Sequence, residues 1–246
     1  MKTAVLIPGM LRNFEVTHPR FKTFIMDELN PDIFFSGYPN EMGIEHCEKT
    51  FTSLYKPKKH IIREYTDELR KMICPNQAFY NMFKRSESTP NTWMSGVWNV
   101  KMANLLRKEY EQSEGIKYDL VIKCRIDTFF YAKISQKDIQ LALEGNILIP
   151  NAWDFKSVNP IAVSDVFAMS TPDVMDIYCD MYDHIDGYVK SGDIFHPESL
   201  CGRHIAAQGL KRIEVLGDVP NPFGHWGCGW MVFENPDQPN DDRKKY

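Results

Sequence analysis

The stretch Tyr118–Phe130, YDLVIKCRIDTFF, decides how the chain reads. Leu120, Val121 and Ile122 form a short apolar run of about strand length, the signature of a strand buried on both faces. The run then meets Arg125 and Asp127. An isolated buried charge is costly, so a strand that ends in these two residues needs partners for both. Open α/β sheets take their ligands in the crevice outside the carboxyl ends of the strands, which is where Asp127 falls. Two readings stand at this point. Either the pair faces a ligand, or it closes a salt bridge between the strand end and a neighbouring helix.

Towards the N-terminus, residues 3–8, TAVLIP, predict a first buried strand, and residues 9–14, GMLRNF, the turn after it. A glycine just past a strand lets a ligand approach the backbone closely, and Arg12 there can reach an anion with its planar fork. The turn is neither a GxGxxG nor a Walker loop, so a tight strand-to-helix turn with a solvated arginine is the alternative. Phe21, Phe24, Ile25 and Leu29 share one face of a helix predicted over 17–29, which Asn30-Pro31 ends. Residues 32–38, DIFFSGY, read as a second strand. Strand, helix and strand in so short a span form a βαβ unit, which makes the two strands parallel.

Further on, a helix near 43–54, a basic turn at 56–59 and a third strand at 60–65 are expected. Residues 66–92 predict a helix followed by a long loop. Residues 93–111 predict an amphipathic helix with Met94, Trp98, Met102, Leu105 and Leu106 on one face, and with Ser95, Trp98 and Asn99 near enough to its start to line a pocket. After the opening stretch come a helix at 135–143 with Ser135 as N-cap, a strand at 146–150, and a loop at 151–161 carrying Trp153, Asp154 and Phe155. A short strand at 164–170 and a helix from Pro172 to about Ile185 follow. A helix then begins at His196-Pro197-Glu198-Ser199 and ends at Gly209, before a late strand at 213–216. With no repeat and no linker, one domain over 1–235 is expected, with a polar, disordered tail at 236–246.

The totals narrow the function classes. The chain has 246 residues, enough for one large α/β domain or two small ones. A net charge of −4 gives no support for a nucleic-acid partner. No apolar segment approaches the roughly 20 residues that span a membrane. The run Ala4–Ile7 is too short for a signal-peptide core and is stopped by Pro8-Gly9. None of the six cysteines forms a CxxC pair and several sit in apolar runs, so they read as reduced thiols and the expected location is cytoplasmic.

Over roughly residues 3–230 the chain resembles the nucleotide-sugar-dependent glycosyltransferases of the GT-A fold, of the polysaccharide or lipopolysaccharide type. Four places carry the resemblance. Ile7-Pro8-Gly9-Met10-Leu11-Arg12-Asn13-Phe14 resembles the opening strand and turn that lie beside the nucleotide in such enzymes. Tyr118-Asp119-Leu120-Val121-Ile122 with Arg125-Ile126-Asp127 resembles the YDxVIxxRxD segment that stands where GT-A enzymes carry an Asp-x-Asp metal motif. Pro197-Glu198-Ser199 resembles the acidic helix start that supplies the general base in inverting members, and His225 resembles the C-terminal histidine that completes the metal site.

The resemblance implies an α/β fold with a mixed, mainly parallel central sheet flanked by helices. It implies transfer of a sugar from a nucleotide-sugar donor to a glycan, a lipid-linked sugar or another hydroxyl acceptor; an acidic base leans toward inversion, and the stereochemical outcome stays open. Asp127 and His225 would hold Mn²⁺ or Mg²⁺ on the diphosphate, with Pro8, Gly9, Arg12 and Arg125 beside the nucleotide. Glu198 would be the base, kept ionised by the helix dipole, and Asp165 the rival base or a contact to a donor-sugar hydroxyl. The chain departs from the pattern at Arg125, which takes the first acidic position of Asp-x-Asp; a cation there can itself neutralise a diphosphate.

Each residue also has a plainer role: Asp127 bridging Arg125, Glu198 capping its own helix, His225 a loop histidine. Two rival functions remain. A sugar nucleotidyltransferase would carry a glycine-richer first loop than Pro8-Gly9-Met10-Leu11-Arg12. A non-catalytic sugar- or nucleotide-binding or interaction module would explain the loss of the first acid at Arg125.

Overall fold

The computed structural model describes residues 1–84, 89–150 and 159–215 and, beyond them, the backbone of 227–228 and 231–232. β1 (Thr3–Met10) is buried from Thr3 through Pro8, as its apolar run requires. The chain turns at Asn13, whose φ of 50° is a left-handed conformation that asparagine tolerates. It enters α1 (Phe14–Phe21), passes through a wider π turn (Lys22–Met26) and closes with a last turn, α2 (Asp27–Leu29). The helical passage starts before the predicted residue 17 because Phe14 already belongs to the buried face with Phe21 and Ile25. β2 (Asp32–Tyr38) pairs in parallel with β1 from Ala4–Asp32 to Met10–Tyr38, as the βαβ reading requires. α3 (Ile44–Tyr55) and β3 (Lys59–Ile62), parallel to β2, complete this side.

Two short helices, α4 (Asp67–Ile73) and α5 (Gln77–Phe83), replace the single helix and long loop expected over 66–92. Thr66 caps α4 with its hydroxyl, and the helix stops at Ile73 because Cys74 precedes Pro75, which disfavours the helical conformation one residue earlier. α6 (Pro90–Glu114) is longer than predicted at both ends, capped by Thr89 and closed by Gly115 with φ 63°. Its buried stripe is Trp93, Met94, Val97, Val100, Ala103 and Leu106, whereas Leu105 is 37 % exposed. Compact Val97, Val100 and Ala103 let the helix settle on β1 and β2, which turns bulkier Trp98 and Met102 to the flank.

β4 (Leu120–Cys124) is buried throughout and pairs in parallel with β1. It ends at Cys124, so Arg125 and Asp127 stand in the turn after the strand and not on it. β5 (Phe129–Phe130) follows, then α7 (Gln136–Leu143), whose first turn donates the Asp138 N–H to Ser135 Oγ at 3.0 Å. β6 (Ile147–Pro150) and β7 (Phe167–Ser170) come next. The helix expected from Pro172 to Ile185 is instead α8 (Pro172–Cys179), a 3₁₀ turn (Asp180–His184) and α9 (Ile185–Lys190). α10 (Pro197–Ala207) and β8 (Arg212–Val215) close the main body; β9 (Gly227–Cys228) pairs with β10 (Met231–Val232), which in turn pairs with β5.

The main sheet has seven strands in the order β3-β2-β1-β4-β7-β6-β8, and β7 runs against the rest. This is the Rossmann-like, mixed and mainly parallel sheet expected. One apolar core lies under α6, α8, α9 and α10, the other under α1, α3 and α7. Among the described residues no helix is long and apolar enough to cross a membrane, and Cys47, Cys74, Cys124, Cys179 and Cys201 are buried free thiols. Trp153, Asp154, Phe155, Leu216, His225, Trp226, Trp230 and 236–246 lie outside the described residues.

Candidate functional site

The strand order reverses between β1 and β4: β2 and β3 add on one side of β1, β4 and later strands on the other. Ligands of open α/β sheets bind at such a switch point, outside the carboxyl ends. Pairing of β1 with β4 stops at Leu6–Lys123, while pairing with β2 continues to Met10–Tyr38. The two central strands therefore part at their ends and leave a crevice. Pro8, with no N–H to donate, stands just beyond the last rung with β4 and is itself buried, so it shapes the opening from within the sheet.

Gly9 has φ 106°, and a Cβ on it would meet nothing within 4 Å. Across the ladder, a Cβ on Gly37 would stand 1.7 Å from the Gly9 carbonyl oxygen, so these backbones touch only because Gly37 lacks a side chain. The Arg12 N–H donates to the Met10 carbonyl at 2.8 Å, a tight turn that leaves the arginine exposed.

The turn after β4 faces Arg12. Arg125 Nε donates to Asp127 Oδ1 at 2.8 Å and Nη2 to Oδ2 at 2.5 Å. This is the predicted bridge within the pair, formed along the turn and not to a neighbouring helix. The turn is tied down on three sides. The Arg125 N–H donates to Val166 O at 3.1 Å, the Thr128 N–H to Arg125 O at 3.2 Å, and Thr17 Oγ1 of α1 to Ile126 O at 2.7 Å. Burial alone would push the Asp127 carboxyl up, but Arg125, its hydrogen bonds and Arg12 together hold it below the usual carboxylate range. Asp127 in turn raises the Arg125 guanidinium, to which Asp165 and Glu198 add.

Asp165, in the bend before β7, and Glu198, at the start of α10, both act on Arg125 through their charge. Asp165 Oδ2 accepts from Trp93 Nε1 at 3.2 Å, a contact from the start of α6. Lys123, within β4 and only 4 % exposed, donates from Nζ to the main-chain carbonyl of Asp165, and burial lowers its pKa against the pull of the Asp165 carboxylate. Glu198 sits on the first turn of α10. A Cβ on Gly202 would stand 1.8 Å from Ile161 O, so the bare glycine lets this helix press on the segment that leads to Asp165. The Val163 N–H donates to Glu198 O at 3.1 Å and strengthens the same joint.

The ionised Glu198 expected from the helix dipole is reversed. Burial and the Asp165 carboxylate push its carboxyl up to about 8, against its own main-chain N–H and Arg125. Buried His196, whose pKa burial lowers, holds Nε2 3.5 Å from Glu198 Oε2 and Nδ1 3.0 Å from Ser199 Oγ. Glu198 lies in the first turn of α10, whose N-cap His196 makes no side-chain cap hydrogen bond.

The divalent ion implied by the family resemblance meets a poor donor set. Both Asp127 oxygens are taken by Arg125, and among the described residues no three of His, Cys, Asp and Glu gather as metal ligands. His225 is outside the described residues. The described residues do not fit Mn²⁺ or Mg²⁺, which seek open carboxylate oxygens.

Several contributors escaped the sequence reading. Lys123 left a signal, a lysine inside an otherwise apolar strand, whereas Trp93 looked like any core aromatic. A second group lines the ends of β2 and β3. Tyr38 and Tyr65 lie 4.6 Å apart between ring centroids, and Arg63 stands 4.7 Å over the Trp98 ring and donates to Ser36 Oγ at 3.1 Å. Ser36 in turn donates to Asn99 Oδ1 at 2.8 Å. Ser95, Trp98 and Asn99 were anticipated only as residues near a helix start that could line a pocket; Tyr38, Arg63 and Tyr65 were not, since only the parallel register brings them beside Trp98 and Asn99.

No known family profile matches the chain. No curated protein is similar to it in sequence. Among solved structures, mouse xyloside xylosyltransferase 1 in its apo form is similar at 10 % identity, over 87 % of this chain and 84 % of that one, with a TM-score of 0.48.

Proposed function

We propose that the protein is a glycosyltransferase that moves a sugar from a nucleoside-diphosphate sugar to a hydroxyl of a glycan or lipid-linked acceptor. The observation that carries the proposal is the meeting of two arginines, Arg12 and Arg125, with two carboxyl groups, Asp165 and Glu198, where β1 and β4 part. Sugar transfer needs both kinds of group. The bond from the anomeric carbon to the diphosphate oxygen breaks, and cations must stabilise the charge that grows on the leaving group. A bond to the acceptor oxygen forms, and the acceptor proton passes to a carboxylate.

Arg12 and Arg125 supply the cationic side, with Gly9 admitting the nucleotide close to the backbone. Asp165 and Glu198 supply the basic side. At neutral pH Glu198, with its carboxyl pushed up to about 8, carries a proton beside the Asp165 carboxylate. The aromatic and amide group of Tyr38, Arg63, Tyr65, Trp98 and Asn99 offers flat faces and hydrogen bonds for a nucleoside next to the crevice.

The test is release of nucleoside diphosphate from a panel of UDP-, GDP-, CDP- and dTDP-sugars, with and without mixed glycan acceptors. Release from one donor by the wild type, reduced at least about 100-fold in Asp165→Asn or Glu198→Gln, is the expected result. No release from any donor, by a folded wild type, would overturn the proposal.

A further inference from the structure

We infer that Arg125 holds the donor diphosphate in the place where a divalent ion would stand, and that Asp127 is the residue that positions this guanidinium rather than a metal ligand. The inference rests on the glycosyltransferase reading above and specifies how its anionic half is bound.

The orientation of the pair carries the inference. Of the two side chains, Arg125 is 41 % exposed and Asp127 only 17 %. The cation is presented and the carboxylate stands behind it. A metal site would have the opposite order, with carboxylate oxygens open and any arginine withdrawn. Here Nε and Nη2 occupy Oδ1 and Oδ2 in the side-by-side geometry that fixes a guanidinium plane. The three hydrogen bonds that tie the turn, from Arg125 N, Thr128 N and Thr17 Oγ1, fix the backbone that carries both side chains and so the spacing from which the fork forms.

Charge points the same way. Asp127 would have to release Arg125 to bind a dication, and the released guanidinium would then sit beside that dication without its partner, where like charges repel. Arg12, whose field already reaches Asp127, adds a second cation from the β1 side. Two arginines on two adjacent strand ends make a clamp for a diphosphate, and a guanidinium suits paired phosphate oxygens.

The test measures binding of the nucleoside diphosphates UDP, GDP, CDP and dTDP by calorimetry, in EDTA and in Mn²⁺, alongside Mn²⁺ binding itself by electron paramagnetic resonance. For the nucleotide that binds, the affinity is expected to agree within about threefold in the two conditions, with no stoichiometric Mn²⁺ taken up by the protein alone. Arg125→Met should weaken binding at least about 30-fold, and Arg125→Lys should restore part of it.

Asp127→Asn discriminates most sharply. It keeps an oxygen for Nε but removes a negative charge from the anion's neighbourhood, so affinity is expected to hold or rise. A metal ligand so changed would lose its ion and the nucleotide with it. Binding that vanishes in EDTA, returns with Mn²⁺ and is lost in Asp127→Asn would overturn this inference while leaving the transferase reading intact. No nucleotide bound in either condition would overturn both. Circular dichroism of each variant separates lost binding from lost folding.

Discussion

Arg107 and Arg125 both sit among carboxylates, at opposite ends of the central strands, and they are built differently. Arg107, on α6 near the start of β4, has a side chain 1 % exposed. Its Nε donates to Asn104 Oδ1 at 2.9 Å, Nη1 to Glu111 Oε2 at 2.6 Å, and Nη2 to Asp176. The carboxylates are occupied in turn, Asp176 by Asn104 at 2.8 Å and Lys108 at 3.2 Å, Glu111 by the Tyr118 N–H at 3.0 Å. This network joins α6, α8 and the approach to β4, and it is closed on itself. Among the described residues, Arg125 has the single carboxylate of Asp127 in hydrogen-bond contact and an exposed face, with Asp165 and Glu198 acting on it through their fields. A closed set of charges holds elements together; a set left open on its cationic side is ready for an anion.

Removing each arginine tests that contrast. Arg107→Met leaves Glu111 and Asp176 without their cation and is expected to lower the unfolding free energy by about 3 kcal/mol in urea at pH 7. Arg125→Met leaves Asp127, 17 % exposed, without its cation, and is expected to cost less than Arg107→Met, on the order of 1–2 kcal/mol. Equal losses would erase the distinction.

The acid side sharpens it. The folded pKa of Glu198, about 8, lies above its ordinary 4.5, so its protonated form is favoured by folding. Its contribution is present in full below pH 4.5 and is lost as pH rises through 8. Glu198→Gln should therefore stabilise the fold by on the order of 2 kcal/mol at pH 8.5 and by nothing near pH 4, read from urea melts at both values. Lys123→Met should leave stability unchanged or raise it by about 1 kcal/mol, because a buried ammonium is replaced by an apolar chain of similar shape. That sign is opposite to the one expected at Arg107. The smallest effect is expected for Trp93→Phe. It removes the indole donor to Asp165 but keeps a ring near Phe195, so thermal melts should place the loss at about 0.5–1 kcal/mol.

Regular elements were legible where local chemistry alone sets them. The β1–helix–β2 passage, the Ser135 cap and the Pro172 and Pro197 helix starts depend on residues adjacent in sequence. Phase on α6 was not, because its buried stripe is chosen by which side chains let the helix approach β1 and β2. The break of the Pro172 helix into three pieces likewise depends on packing under α6. At the site, Arg12, Arg125, Asp127, Asp165 and Glu198 were readable as polar residues at strand ends or helix starts. Their pairing was not: the Arg125–Asp127 fork reverses which of the two is presented, and burial, with the field of Asp165 added to it, raises the Glu198 carboxyl against the expected ionisation. Both reversals arise from contacts between elements, which spacing along the chain does not encode.

The most direct test of the account is amide hydrogen exchange with and without a saturating nucleoside diphosphate. Protection is expected over residues 9–13 and 124–128, with residues 104–118 unchanged. Protection centred on 104–118, or none at 124–128 with the nucleotide bound, would contradict the assignment of the crevice between β1 and β4 as the site.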